Sequence, residues 1–419
     1  MISNDDSSRS DPEDGDSLFP PWLFVGDPAH APVICLPVPS FAVRYLLQQE
    51  GWPLGYFSQI AGVPASGKSA LLCEIIRWHL AFPDGRGFLQ ETEGKSTDII
   101  TSILDQHGRF GFFPCSTLEE WSSKLMELIE RVIKSSGSLD RPVPAAFGID
   151  TITAGLPEKI FAAIAEQGYS SGGKPLSGYL REIIGPVTER IHSWPFSVVG
   201  VSHAKPRGPR LGLGVNARHV DRNIVGDHVT KQFQTLGLQV TCLDKPRPGC
   251  GIARPDDDER GILLRVEAYH NVFARPAHVL VEVLWERKRR DSADIYHQRA
   301  FFDWHSASIE TLIDLSKGNE PKAKRIREII PLSADADRRL VSSPLLGINP
   351  PAKEPYRTAG EMLEQKIRTD SSFREGLYSA AGICSRPLLK ATGSYAEQYR
   401  EVREHALQLE RDRSQVKWS

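Results

Sequence analysis

An α/β fold with a mostly parallel central sheet that ends in antiparallel strands, plus a small helical C-terminal region, follows from three features of this 419-residue chain. Between residues 56 and 203, short apolar runs alternate with amphipathic stretches of helical period, the pattern of βαβ units and a parallel sheet. After Gln234 the period changes, and three β-rich runs follow one another on short connections. The last third is rich in charge and holds two further helical stretches.

Each element has its own local reason. "YFSQIAG" (56–62) is a buried strand. Residues 69–80 form a helix whose apolar side includes Leu71, Leu72, Ile75, Ile76 and Leu80. "GFLQETEG" (87–94) is a second strand, followed by a helix capped by Ser96 or Thr97. Residues 117–136 form a strongly amphipathic helix with Leu118, Trp121, Leu125, Leu128, Ile129 and Ile133 on one face. "PAAFGID" (144–150) and "PFSVVGVSH" (195–203) are the third and fourth strands. The antiparallel runs are "TLGLQVTCLD", "GILLRVEAYHN" and "HVLVEVLWE".

Four regions result. Residues 1–18 are acidic and too polar to bury anything, so disorder is expected. Residues 19–54 form a Pro-rich lead-in with a short helix in "FAVRYLLQQ" (41–49). That helix docks either on a neighbouring subunit or in the chain's own core. The core spans 55–295. Residues 296–419 follow, with a basic run at 321–327, a Pro-rich linker at 343–355 and helical stretches at 358–380 and 394–412.

A net charge of −2 implies no particular partner, so such evidence has to come from local clusters. The six cysteines include no CxxC pair and no metal-ligand spacing, which suits a reduced, cytoplasmic protein. The polar start is not a signal peptide, and no run approaches the ~20 apolar residues of a membrane span.

The chemistry centres on "GVPASGKS", residues 62–69, which matches G-x-x-x-x-G-K-[ST] between a strand and a helix. Glycines let backbone N–H groups curl around phosphates, and the helix aims its positive end at the same anion. Gly62, Val63, Pro64, Ala65, Ser66, Gly67, Lys68, Ser69 and Ala70 are the expected ATP-binding residues. Lys68 reaches the β/γ-phosphates, and the Ser69 hydroxyl takes a Mg²⁺ position. Asp150, ending an apolar strand, is the second Mg²⁺ candidate. Glu91 and Glu93 lie on one side of their strand end; Glu93 is read as the base acting on water, with Glu91 the alternative. The segment 204–226 carries Lys205, Arg207, Arg210, Arg218 and Arg222 among glycines and prolines, with Asp221 the one acid. Such a basic segment can track nucleic-acid phosphates without reading sequence.

"GVPASGKS", "LQETEG", "FGIDT" and "VVGVSH", in this order, resemble the RecA-like strand-exchange recombinases over residues 40–290. "ETEG" resembles the D-T-E-G of archaeal and eukaryotic members, which implies a catalytic role for Glu93. Where the family has Asn-Gln after the Walker B strand, this chain has Ser202-His203. Phage members of the UvsX type have Asn-His there, so His203 is implied as the γ-phosphate-sensing residue. The tail 358–383 resembles the UvsX-like tail more loosely. The resemblance further implies a RecA-like P-loop ATPase core, DNA-binding loops at 155–175 and after His203, a DNA or interface role for Lys231, and adenine contact by Asp98. It implies single- and double-stranded DNA as substrates, a head-to-tail helical homo-oligomer, and single-strand-binding and mediator proteins as partners. The family's trans-acting lysine pair has no match in "AYHNVFARP", which leaves Arg275 or the basic run at 287–290 for that charge. A RecA-fold ATPase of another class, a helicase motor or a regulatory ATPase, is the alternative.

Overall fold

The computed structural model describes residues 33–91, 109–115, 117–137, 143–152, 176–192, 194–205, 223–224, 233–243, 259–289, 296–335, 340–384, 401 and 404. Strands β1 (Cys35–Pro37) and β2 (Gly51–Pro53) pair antiparallel and bracket helix α1 (Phe41–Leu47). Ser40 caps α1 by accepting the Val43 N–H, and Gln48 ends it in the left-handed region at φ 54°.

Next come β3 (Tyr56–Gly62), α2 (Lys68–Leu80), β4 (Arg86–Glu91), β5 (Phe110–Pro114), α3 (Leu118–Ser136), β6 (Ala145–Asp150), α4 (Leu176–Ile191) and β7 (Phe196–Lys205). The two-residue β8 (Asn223–Ile224) precedes β9 (Gln234–Leu243), β10 (Glu259–Asn271), β11 (His278–Arg289) and β12 (Tyr296–Phe302). All belong to one ten-stranded mixed sheet of order β12-β11-β10-β9-β3-β7-β6-β4-β5, with β8 on the end of β7. From β9 to β5 every neighbour pair is parallel; from β9 to β12 every pair is antiparallel. The chain is thus α/β, with the predicted antiparallel ending. The sheet continues past residue 295, since β12 pairs with β11.

Helices cover both faces of the parallel part, as βαβ crossovers require. On one face α2 buries Leu71, Leu72, Ile75 and Ile76 with Leu89, Val199, Val201, Leu238 and Val240. On the other, α3 and α4 pack Trp121, Leu125, Ile129, Leu180 and Ile184 against Phe57, Phe147, Ile149 and Val198. On α3 the buried stripe is Leu118, Trp121, Leu125, Ile129 and Val132. Leu128 and Ile133, expected on that face, are only partly buried, because the 3.6-residue period carries the stripe to Val132 instead.

Helix α2 is held at its far end. The Arg109 guanidinium donates to the carbonyls of Leu80, Phe82 and Gly85, where the helix dipole favours a cation. Fully buried His79 donates Nδ1–H to the Ile75 carbonyl at 3.0 Å and accepts the Ser197 hydroxyl at Nε2, 2.9 Å away. Burial pushes its pKa down to about 4. The folded state therefore keeps His79 neutral while the unfolded chain protonates as pH falls through 6.5. Stability should drop from pH 7 to 5 by about 2 kcal/mol at this site. Urea unfolding of wild type and His79→Leu measures it; equal pH slopes would reject the assignment. The comparison matters because buried Glu74 shifts upward and acts with the opposite sign.

Beyond β12 a second core forms. Helices α5 (Trp304–Leu315), α6 (Pro321–Ile329), α7 (Tyr356–Thr369) and α8 (Ser371–Ala381) bury Ile309, Leu312, Ile326, Leu363 and Leu377. The segment 343–355 is not the linker expected. A small sheet of β13 (Ser333–Ala334), β14 (Leu340–Ser342) and β15 (Glu354–Pro355) frames it, and Leu346 and Ile348 enter the core. The helical stretch 358–380 is likewise two helices: Asp370 interrupts it and caps α8 by accepting the Phe373 N–H at 2.9 Å.

Helix α1 spans both cores. Val43, Leu46 and Leu47 join the sheet's core, and Phe41 joins the second. Arg44 donates to Glu364 of α7 at 2.7 Å and to the Val38 carbonyl at 3.2 Å, and the Phe41 N–H also reaches Glu364. Of the two docking surfaces open to this helix, its own chain takes the apolar face.

Candidate phosphate-binding site at the carboxyl edge of the sheet

In an open parallel sheet, ligands gather beyond the carboxyl ends of the strands. Strand β3 ends at Gly62, and α2 starts at Lys68. The turn between them uses two left-handed residues, Ala65 (φ 58°) and Gly67 (φ 88°). Gly62 and Gly67 are also dictated by close approach. A Cβ at 62 would lie 2.6 Å from the Val240 carbonyl oxygen, and one at 67 would lie 2.7 Å from the Leu264 side chain. The turn is thus seated on β9 and β10. Gly67 offers no side chain to cap α2, so the amides of its first turn face the loop uncapped, as anion binding requires. Lys68 is 5% exposed, and its Nζ donates to the Val63 carbonyl at 2.6 Å, folding back over the turn.

Strand register brings the other groups to the same edge. Glu91 is opposite Asp150, and Gly62 is opposite His203. Strand alternation sets their direction. Leu89 and Val201 pack on the α2 side, and a Cβ on Gly148 would meet Ile76 and Leu72 of α2. Glu91, Asp150 and His203 share that parity, so all three point to the face that carries Lys68 and Ser69. Burial first, and then the Asp150 charge, push the Cys73 thiol of α2 up, which places the carboxylate close to that helix. Asp150 and Glu91 are each 3% exposed.

Val63, Pro64, Ala65, Ser66, Ser69 and Ala70 take the expected places in the turn and the first turn of α2. His203 is not the last residue of its strand: β7 runs on to Lys205 because β8 pairs with Ala204 and Lys205. Glu93, Asp98, Arg207, Arg210, Arg218, Arg222 and Lys231 lie outside the described residues, as does the first expected DNA loop at 155–175. Glu91, the alternative to Glu93, lies within them as the last residue of β4. Its signal in the sequence was its place with Glu93 on one side of the end of the strand 87–94.

The set suits a nucleoside triphosphate with Mg²⁺: a glycine cradle that a Cβ would fill, a lysine against it, and a buried carboxylate on the same face. Ser69 and Asp150 would hold the ion, which would neutralise charge on the phosphates when bound. No known family's model matches the chain, and no curated protein matches it in sequence. Among the described residues no helix is long and apolar enough to cross a membrane.

Proposed function

We propose that this chain is an ATP-dependent DNA recombinase with a RecA-like P-loop ATPase core, closest in type to the UvsX recombinases of phages. It would coat single-stranded DNA as a helical homo-oligomer and pair it with double-stranded DNA. The observation that carries this is the meeting of the glycine turn with Asp150, Glu91 and His203 on one face at one edge of the sheet. Six parallel strands continued by antiparallel ones support the RecA-like core, and the four motif stretches in order support the recombinase class.

Each residue then has a role. Lys68 and the first-turn amides of α2 bind the phosphates, and Ser69 and Asp150 hold Mg²⁺. Glu93, two residues beyond Glu91 and of the same parity, orients and deprotonates the attacking water. His203 senses the γ-phosphate and passes its presence along β7 to the basic residues Lys205, Arg207, Arg210, Arg218 and Arg222, with Lys231 beyond them. Asp98 contacts the base. A head-to-tail interface that does not close propagates as a filament, the form a strand-coating protein needs.

ATP hydrolysis by the purified protein, with and without single-stranded DNA and alongside Glu93→Gln, tests this. Stimulation of about tenfold or more is expected, with the variant slowed by about 10²-fold or more while still binding DNA. Hydrolysis indifferent to DNA would leave a RecA-fold ATPase of another class.

A further inference from the structure

Parallel strands buried on both faces normally read as continuous apolar runs, yet four polar side chains meet inside this sheet. Gln59 of β3 donates Nε2–H to the Ser202 hydroxyl oxygen of β7 at 2.7 Å. The Tyr269 hydroxyl of β10 lies 2.9 Å from Gln59 Oε1 and 3.2 Å from Gln234 Oε1, the latter on the first residue of β9. Gln59 and Ser202 are fully buried, and Gln234 is 3% exposed. The Tyr269 ring lies across Gly237, where a Cβ would come within 2.5 Å of it. A bare backbone at 237 is therefore what admits the ring.

The proton inventory of this group is revealing. Tyr269 has one hydroxyl proton and faces two amide oxygens, so it can donate fully to only one at a time. Meanwhile Gln234 Nε2 is buried with no partner among the described residues. Turning the Gln234 amide by half a turn lets its Nε2 donate to Tyr269, and its oxygen then takes the buried place without a partner. The bonds then run in one direction, Gln234 to Tyr269 to Gln59 to Ser202. Two arrangements are thus available to the same four side chains, one with the Tyr269 proton on Gln59 and one with it on Gln234.

The two ends are telling. Ser202 immediately precedes His203, which sits opposite Gly62 of the phosphate turn. Gln234 opens the strand that follows Lys231, so Ser202 and Gln234 belong to the strands on either side of the basic segment in sequence. We propose that the Gln234–Tyr269–Gln59–Ser202 chain couples nucleotide binding to DNA binding, with Tyr269 as its central positioning residue. This rests on the recombinase reading above. The physical route is a buried network with two discrete states, which both ligands bias through the strands it joins.

The test uses the full chain, a non-hydrolysable ATP analogue and a labelled oligo-dT strand. Nucleotide affinity is measured with and without the strand, and thermal midpoints are measured alongside. In wild type the strand should tighten nucleotide binding by about tenfold. Tyr269→Phe keeps the ring and loses the hydroxyl. It should leave each ligand's separate affinity within about twofold and bring the coupling ratio close to one. Ser202→Ala should do the same and add nothing in the double variant, because both break one chain. Ser202→Thr, which keeps a hydroxyl, should retain the coupling. Should Tyr269→Phe not fold, Ser202→Ala and Ser202→Thr carry the comparison. An unchanged ratio in the folded variants overturns the proposal, as does a parallel loss of both affinities and of thermal stability. Failure of the recombinase reading is seen separately, in wild type: nucleotide binding that ignores DNA removes it and this coupling together.

Discussion

Lys68→Ala should lower ATP hydrolysis by about 10²–10³-fold, the loss expected when a preorganised charge facing a reacting phosphate is removed. The geometry sets up this sensitivity. Lys68 is the first residue of α2 and almost wholly buried, and the Val63 carbonyl holds its ammonium over the glycine turn. In so enclosed a place a charge acts through a low effective dielectric, and water cannot replace it. Lys68→Arg should fare little better, because a planar fork cannot take the place of a compact ammonium against this turn. Hydrolysis and nucleotide affinity are measured for both variants. The fold should survive, since alanine suits the first turn of a helix and the bond to the Val63 carbonyl is worth about 1 kcal/mol. Hydrolysis by Lys68→Ala within threefold of wild type would refute phosphate binding at residues 62–69.

The largest stability effect should come from the joint between α1 and α7. Arg44 and Glu364 are 8% and 2% exposed and form an ion pair at 2.7 Å between α1 and α7. Glu364→Ala removes the acceptor for both Arg44 and the Phe41 N–H. It leaves a guanidinium buried and, among the described residues, hydrogen-bonded to the Val38 carbonyl alone. Breaking a buried pair in this way costs about 3–5 kcal/mol, because the stranded charge keeps its desolvation penalty. Replacing both partners, as Arg44→Met with Glu364→Leu, should cost much less, since no charge is then left behind. Denaturant unfolding of the three proteins separates the cases. A single-variant loss below 1 kcal/mol would mean that water reaches Arg44.

Much of the sheet was legible because periodicity reports burial directly. The strands at 56–62 and 144–150 and the helix at 69–80 carry apolar residues at regular spacing between glycines or capping residues. Strand β5 was not legible. "FGFFP" has no alternation, ends in proline and lies at the edge of the sheet, where pairing with β4 rather than pattern makes it a strand. The segment 343–355 misled for a related reason. Its prolines and Gly347 signal a linker, whereas Leu346 and Ile348 are the residues that decide its place. The site divides in the same way. The phosphate turn is one contiguous stretch and could be read at once, and its glycines turned out to answer to Val240 and Leu264 as well as to phosphate. Tyr269 and Gln59 are 210 residues apart, and no local pattern joins them.

The ion pair between α1 and α7 also bears on time. Arg44 and Glu364 are separated by 320 residues. At synthesis rates of about 5–20 residues per second, the N-terminal helix waits roughly 15–65 s for its partner to be made. Through that interval Phe41 lacks the second core, and the residues of α1 that will face α7 have nothing to cover them. Any chaperone that attends this chain during synthesis has its natural client in residues 41–47, the first helix made among the described residues and one of the last to be fully housed.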